Sequence, residues 1–170
     1  MKLFINPGHG GNDPGAVSIN KYYEAAIVKN IADLLVEKLK KNGYVFKLYQ
    51  QKHNVFEVSK EENKDNYTHF ISIHCNKATN KNAHGIEVLY CKGSTKGAKY
   101  AQIMQDELVK NTKLFNRGIK ERSELHVLKR TKAPAILIEL GFLSNPQEEK
   151  LLINNPQMFA NAIFEGIKKL

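Results

Sequence analysis

The sequence of 170 residues contains no tryptophan, only two cysteines and only five prolines. Cys75 and Cys91 are too few for a disulfide framework and their spacing fits no zinc-finger pattern, so we expect both to be small buried residues. No apolar run approaches the roughly 18 residues that a membrane-spanning helix requires. No repeat, low-complexity segment or linker rich in proline, glycine or serine divides the chain. The sequence therefore predicts a single globular domain without a membrane span.

Negative charge is also scarce, because 17 Asp and Glu residues stand against 26 Lys and Arg residues, which gives a net charge of +9. Such an excess favours an anionic partner, either a nucleic acid or an anionic polymer surface such as a bacterial cell wall, although it also serves solubility alone. The chain lacks a basic strand studded with aromatic residues and lacks a recognition helix of the usual kinds. We therefore predict no nucleic-acid partner.

Strand-like and helix-like segments alternate along the chain, which indicates an α/β fold with a mostly parallel sheet. The helical spacing of Ile27, Ile31, Leu35 and Leu39, followed by Gly43, is typical of an amphipathic helix and its end. The full pattern predicts six strands and about five flanking helices in one domain. The predicted strands are 2–6, 44–49, 69–75, 85–91, 125–128 and 135–140, and the predicted helices are 23–41, 56–64, 96–111, 146–153 and 156–169.

Two histidines stand at the ends of predicted strands. His9 lies in the glycine-rich stretch Ile5–Gly11, directly after the first strand, and His74 ends the apolar run that begins at Phe70. Glycine allows the backbone to turn sharply and to approach a ligand closely. Because open α/β sheets bind ligands at the carboxyl ends of their strands, both side chains are expected in one crevice.

A carboxylate is needed to complete a metal site with these histidines. Glu24 lies at the start of the first predicted helix, where the helix dipole favours negative charge. Two imidazoles and a glutamate form a ligand set familiar from zinc hydrolases. Asp13 is the serious rival, because it lies close to His9 in the loop. Glu87 is a weaker rival, because a position in the middle of a strand should lie away from the strand ends.

Glu139 interrupts the otherwise apolar segment Ala135–Phe142. An ionised carboxylate buried there without a partner would be costly. It either forms a structural salt bridge, for which Arg117 and Arg130 are the candidates, or works beside a metal as a proton acceptor and donor. Among the remaining histidines, His69 is expected to be solvated, and His126, in the predicted strand 125–128, could reach the crevice as a substrate contact.

These segments together resemble the amidase-3 family of zinc N-acetylmuramoyl-L-alanine amidases over about residues 3–169. The resemblance implies a twisted six-stranded sheet flanked by helices. It implies that His9, Glu24 and His74 bind Zn²⁺ and that Glu139 is the catalytic carboxylate. The segments that carry it are Asn6–Gly11, Glu24, Ser72–Asn76, Gly85–Tyr90 and Glu139–Asn145, with Arg117–Lys120 and Leu125–Leu128 in support.

The implied reaction is hydrolysis of the amide between N-acetylmuramic acid and L-alanine in peptidoglycan, which would be the partner. We expect residues 1–170 to be a catalytic domain without a cell-wall-binding module or a signal peptide, acting as an autolysin or endolysin in the wall, outside a bacterium or delivered by a phage. Two alternatives stay open: a zinc carboxypeptidase that acts on stem peptides, and a wall-binding relative that has kept the fold without the chemistry.

Overall fold

The computed structural model describes all residues from Met1 to Leu170 and forms one α/β domain. It contains six strands and six helices, so the predicted fold class is confirmed, with one helix more than expected. The strands are β1 (Lys2–Pro7), β2 (Val45–Leu48), β3 (His69–Asn76), β4 (Ile86–Cys91), β5 (Asn116–Arg122) and β6 (Ala135–Phe142), and the helices are α1 (Glu24–Lys41), α2 (Phe56–Glu62), α3 (Thr95–Thr112), α4 (His126–Arg130), α5 (Pro146–Asn154) and α6 (Pro156–Ile167).

The strands form a single sheet in the order β2-β1-β3-β6-β4-β5. The four strands from β2 to β6 pair in parallel, whereas β4 pairs with β6 in antiparallel fashion and β5 runs parallel to β4. As a result, the amino-terminal ends of β4 and β5 lie at the same edge as the carboxyl ends of the other strands. This edge carries the candidate site.

The prediction of a strand over residues 125–128 is wrong. That apolar segment belongs to the short helix α4, whose buried Val127 and Leu128 pack onto the sheet. The fifth strand is instead Asn116–Arg122, which is polar and only partly buried. An edge strand pairs on one side only, so it does not need the continuous apolar run that a central strand shows.

One face of the sheet is covered along its length by α1, α3 and α6. These helices pack with each other and with the sheet in a cluster of 27 buried apolar residues. Helix α1 contributes Ile27, Ile31, Leu35 and Leu39 from one stripe, as its spacing predicts, and Phe159 of α6 is fully buried. This face holds the main core.

The opposite face carries only the short helices α2 and α4 over a cluster of nine buried apolar residues. Alternate residues of a strand point to the same face, so each strand can be followed toward the site. On β3 the side chains change from Phe70 to Ser72 and His74. On β6 they change from Leu137 to Glu139. The apolar cover therefore ends where the polar residues of the site begin.

No helix of the chain combines the length and the apolar character that crossing a bilayer requires.

Candidate metal centre and active site

The loop after β1 brings His9 over the end of β3. His9 has a left-handed backbone conformation, with φ of 60°, which is uncommon for a residue with a side chain. Gly8 makes the close approach possible, because a Cβ at this position would lie 2.1 Å from Cε1 of His74. The ring centroids of His9 and His74 are 5.0 Å apart in an edge-to-face arrangement. The glycine-rich stretch therefore serves to pack two imidazoles side by side.

Glu24 is the first residue of α1 and is only 3 % exposed. Its Oε1 accepts a hydrogen bond from the backbone N–H of Cys75 (3.0 Å), and its Oε2 accepts one from Ala16 (2.9 Å). Gly15 leaves room for it, since a Cβ there would lie 2.7 Å from Oε2 of Glu24. The carboxylate is thus fixed by the backbone on both of its oxygens.

These three side chains converge at one point. Nε2 of His9 lies 3.2 Å from Oε2 of Glu24, and Nδ1 of His74 lies 3.0 Å from Oε1 of Glu24. The potential ligand atoms of the three residues all lie within 4.8 Å of one another. The structure therefore brings together His9, Glu24 and His74, which are far apart in sequence, at the carboxyl edge of the sheet.

A chain of hydrogen bonds determines which nitrogen of a neutral His74 carries the hydrogen. The amide of Asn6 donates to the carbonyls of Pro7 (3.1 Å) and Tyr49 (2.9 Å), so its oxygen is left as the acceptor for the hydroxyl of Ser72 (2.8 Å). Since that hydroxyl has a single hydrogen, Ser72 must accept from Nε2–H of His74 (3.1 Å). A neutral His74 therefore carries its hydrogen on Nε2 and leaves the lone pair of Nδ1, on the side of Glu24, for a metal ion.

His9 is oriented in the same manner by Asp13. Nδ1 of His9 donates to Oδ2 of Asp13 at 2.9 Å, and Asp13 is held in turn by the amide of Gln51 and the backbone of Gly15. Such a carboxylate behind an imidazole is typical of metal sites, where it fixes the tautomer and raises the basicity of the ligand. Asp13 thus lies behind His9 and not among the three converging groups, which separates it from Glu24.

The donor set fits a divalent cation. Nδ1 of His9 donates to Asp13, and Nε2 of His74 donates to Ser72. The other ring nitrogens, Nε2 of His9 and Nδ1 of His74, and the carboxylate of Glu24 then all offer electron pairs to one point. A proton or a cation is needed between them. Burial alone would lower the pKa of His9, but the hydrogen bond and charge of Glu24, followed by those of Asp13, raise the pKa to about 9. Burial would raise the pKa of Glu24, but His74 and His9 hold that pKa well below its usual range. A metal ion would compete with the proton on His9 for the same lone pair.

Glu139 lies beside this cluster, directly opposite His74 in the pairing of β3 with β6. The residue is partly exposed, but its Oε2 is buried and has no hydrogen-bond partner. Burial, followed by the charges of Glu24 and Glu87, raises the pKa of Glu139 to about 8. Neither Arg117 nor Arg130 forms a salt bridge with it, so the structural pairing considered for this residue is absent.

Glu87 lies closer to the site than its position in a strand suggested. Because β4 is antiparallel to β6, Glu87 is the direct cross-strand neighbour of Glu139. Its Oε2 accepts from Nε of Arg117 (3.0 Å) and its Oε1 from the amide of Asn76 (3.1 Å). Arg117 is therefore the partner of Glu87. Only the direction of β4, which the sequence did not reveal, could have indicated this.

The remaining histidines differ from expectation in part. His69 is buried, with a Nε2 that has no partner, so the prediction that it is solvated is wrong. It stacks at 4.5 Å on Tyr100, which covers it. His126 lies on α4 and not on a strand, and it lines a cavity that His9 and His74 also line.

Comparison with known proteins identifies the family of this chain. A family model described as N-acetylmuramoyl-L-alanine amidase matches residues 3–169. The chain belongs to this family. The amidase family thus accounts for nearly every residue of the domain.

Individual relatives of the amidase family cover the whole domain as well. The crystal structure of an N-acetylmuramoyl-L-alanine amidase from Clostridium difficile 630 is 34 % identical, with a TM-score of 0.91 over 99 % of this chain and 95 % of that chain. The AmiC2 amidase of Nostoc punctiforme is 26 % identical, with a TM-score of 0.91 over 99 % and 96 % of the two chains. A Staphylococcus epidermidis protein named "Probable cell wall amidase LytH" is 33 % identical over 98 % of this chain, which spans 57 % of that relative's length.

Proposed function

We propose that this protein hydrolyses the amide bond between the lactyl group of N-acetylmuramic acid and L-alanine in peptidoglycan. The observation that carries the proposal is the convergence of His9, Glu24 and His74 beside Glu139, whose buried oxygen has no partner, in a chain of the amidase family. The substrate of such an enzyme lies in the bacterial wall, which we propose as its place of action.

We propose further that His9, Glu24 and His74 hold Zn²⁺, because two imidazoles and a carboxylate with one open position are typical of hydrolytic zinc sites. When bound, zinc supplies Lewis acidity that polarises the amide carbonyl and increases the acidity of water. Asp13 and the Ser72–Asn6 pair would keep both imidazoles in the tautomer that exposes a lone pair to the ion.

Glu139 would carry the proton during the reaction. Its carboxylate accepts a proton from the attacking water as the new C–O bond forms at the carbonyl carbon. As the C–N bond breaks, Glu139 donates this proton to the nitrogen of the departing L-alanine, so that water is added across the amide and the carboxylate of Glu139 is restored. Burial and the neighbouring charges of Glu24 and Glu87 raise the pKa of Glu139 in the metal-free chain, which is a shift in the direction that general acid–base residues show.

Digestion of purified peptidoglycan with analysis of the fragments by mass spectrometry tests the proposal. We expect glycan strands with intact lactyl groups and stem peptides with a free L-alanine amino terminus. Chelation should abolish their release, and added Zn²⁺ should restore it. Loss of a carboxy-terminal amino acid from the stem would identify a carboxypeptidase instead. Binding to the wall without any released fragment would identify a non-catalytic relative.

A further inference from the structure

The side chain of Arg117 meets the end of the strand that carries Glu139. Arg117 lies on β5, next to Glu87 of β4, at the point where the register between these two strands shifts. The central carbon of its guanidinium group lies 4.9 Å from the centroid of the Phe142 ring, and Phe142 is the last residue of β6. Arg117 therefore brings a cation to the edge of the sheet at which the metal centre lies.

The guanidinium group of Arg117 is held in place by the protein. Its Nε donates to Oε2 of Glu87 at 3.0 Å, and its Nη1 donates to the backbone carbonyl of His84 at 3.2 Å. Oε1 of Glu87 accepts in turn from the amide of Asn76 at 3.1 Å, so the carboxylate that orients Arg117 is itself fixed. A side chain that is oriented in advance loses little conformational freedom when it binds a ligand.

Part of this guanidinium group is left for a ligand. Arginine has five N–H groups and no acceptor, and only two of them are used by Glu87 and His84. Nη2 forms no hydrogen bond within the protein, and the Arg117 side chain is 33 % exposed. The planar end of the group is suited to a carboxylate, which accepts two parallel N–H bonds. Because Glu87 offsets the charge of Arg117, such a contact depends on directed hydrogen bonds and is moderate in strength.

The chemistry of the proposed substrate decides which of its parts can bind here. The lactyl carboxyl group is consumed in the amide and the sugars carry hydroxyl and acetamido groups, so free carboxylates occur only on the peptide. Since one residue spans at most about 3.6 Å, a carboxylate on the residue after L-alanine lies within about 7 Å of the nitrogen that Glu139 protonates. Neighbouring strands are about 5 Å apart, so Glu87 and its partner Arg117 lie at a comparable distance from Glu139.

We infer that Arg117 binds the α-carboxylate of the residue that follows L-alanine in the stem peptide. This inference rests on the proposed function and adds to it a contact that distinguishes stem peptides with a free carboxylate at this position from those in which it is amidated. Arg117 selects the substrate and takes no part in the proton transfer, which belongs to Glu139.

Two soluble substrates test the inference on the unmodified zinc-loaded enzyme. Both are N-acetylmuramoyl tripeptides built from L-alanine, γ-linked D-glutamate and L-lysine, and they differ only in whether the α-carboxyl group of the glutamate is free or amidated. A hydrogen bond to a charged group is roughly twice as strong as one to a neutral amide. We therefore expect kcat/KM to be about tenfold higher for the substrate with the free carboxylate.

Substitutions of Arg117 assign this preference to its side chain. Arg117→Gln removes the charge and should cleave both substrates with about equal kcat/KM. Arg117→Lys keeps a charge without the forked donors, so it should retain part of the preference, and it serves if the first variant does not fold.

Arg122→Gln is the matched control. Arg122 lies on the same strand with a side chain that is 39 % exposed, and it pairs with Glu124. It is in register with Cys91, four residues along β4 from Glu87, which corresponds to roughly 13 Å. The control should keep the preference of the unmodified enzyme, and thermal unfolding shows whether each variant is folded.

The ratio of the two kcat/KM values separates substrate binding from a structural role. If Arg117 only holds Glu87 in place, its replacement lowers kcat/KM for both substrates alike, and an unchanged ratio in a folded variant overturns the inference. Equal cleavage of the two substrates by the unmodified enzyme also overturns it, but leaves the proposed function intact. Release of no peptide from either substrate contradicts the proposed function, and the inference is rejected with it.

Discussion

The face of the sheet that carries α1, α3 and α6 is buried along its length, whereas the face that carries α2 and α4 is covered only at one end. The first face contributes 27 residues to one apolar cluster, and the second contributes nine. Where the second cluster ends, the same strands present Ser72, His74 and Glu139. The two faces are therefore formed by the same strands, but only the face that carries α2 and α4 presents the polar and charged side chains of the site.

Buried carboxylates make the difference clear. Away from the site, Glu148 accepts hydrogen bonds from the backbone of Gly85 and Phe142, and Glu107 on α3 pairs with Lys169. At the site, Glu139 has a buried oxygen without a partner and a pKa raised to about 8. A carboxyl group in this condition lowers stability, and a well-packed opposite face allows it to persist. Stability and chemistry are therefore divided between the two faces of the sheet.

The largest expected effect comes from a substitution on the face that carries α2 and α4, which we call the open face. Glu139→Gln keeps the shape of the side chain but removes its ability to take up a proton. We expect kcat to fall by about a thousandfold, within the range for loss of a general acid–base group. Zinc content should be unchanged, because Glu139 is not among the three converging ligand groups. Release of stem peptides and metal analysis of the same preparation measure the two quantities.

Glu107→Gln is the matched control for this experiment. Glu107 is a buried carboxylate on α3 that forms salt bridges with Lys169 and Lys110, and it lies on the covered face. Its replacement should leave kcat unchanged. If Glu139→Gln retained a near-native kcat, or if Glu107→Gln lost as much activity, the assignment of chemistry to the open face would be wrong.

A comparably large effect, on stability alone, is expected from the covered face. Phe159 of α6 is fully buried in the larger cluster. Phe159→Ala should lower the free energy of unfolding by about 3–5 kcal/mol, because it removes apolar contacts and leaves a cavity. Urea unfolding measures this loss, and kcat of the folded enzyme at low temperature should be that of the wild type. A large loss of kcat in the folded state would show that the two faces are not independent.

Much of this architecture could be predicted from the residues. Helix α1 follows from the regular spacing of Ile27, Ile31 and Leu35, and the central strands follow from uninterrupted apolar runs. The grouping of His9 with His74 follows from one rule, that parallel strands end at the same edge. Glu24 was harder, because a carboxylate at a helix start is common, and only the backbone contacts with Ala16 and Cys75 single it out.

The features that could not be predicted depend on strand direction and on contacts between elements, which the sequence pattern does not show. The position of Glu87 within a predicted strand places it away from the site, because the sequence pattern does not show that β4 runs antiparallel to β6. Leu125–Leu128 has the composition of a strand, but the five residues of α4 bury Val127 and Leu128 equally well. His69 is polar and begins a strand, yet Tyr100 of α3 covers it. In each case a tertiary contact overrode the local signal.

The smallest expected effect is a dependence of stability on pH in the metal-free protein. Glu139 has a pKa of about 8 in the folded chain against an ordinary value of 4.5, so the folded state keeps its proton over a range where the unfolded chain has lost it. Stability falls with rising pH wherever the folded state binds more protons. The carboxyl group of Glu139 should therefore lower stability progressively from about pH 4.5 to about pH 8.

Glu139→Gln removes this dependence, because an amide does not titrate. The metal-free variant should match the wild type near pH 4.5 and increasingly exceed its free energy of unfolding as the pH rises toward 8.5. Urea unfolding at several pH values with a chelator present measures the difference, and His9 titrates in both proteins, so its contribution largely cancels. A constant difference across this range would mean that Glu139 is ionised in the folded protein at neutral pH. The face that carries α1, α3 and α6 would then not have to offset a destabilising effect of Glu139.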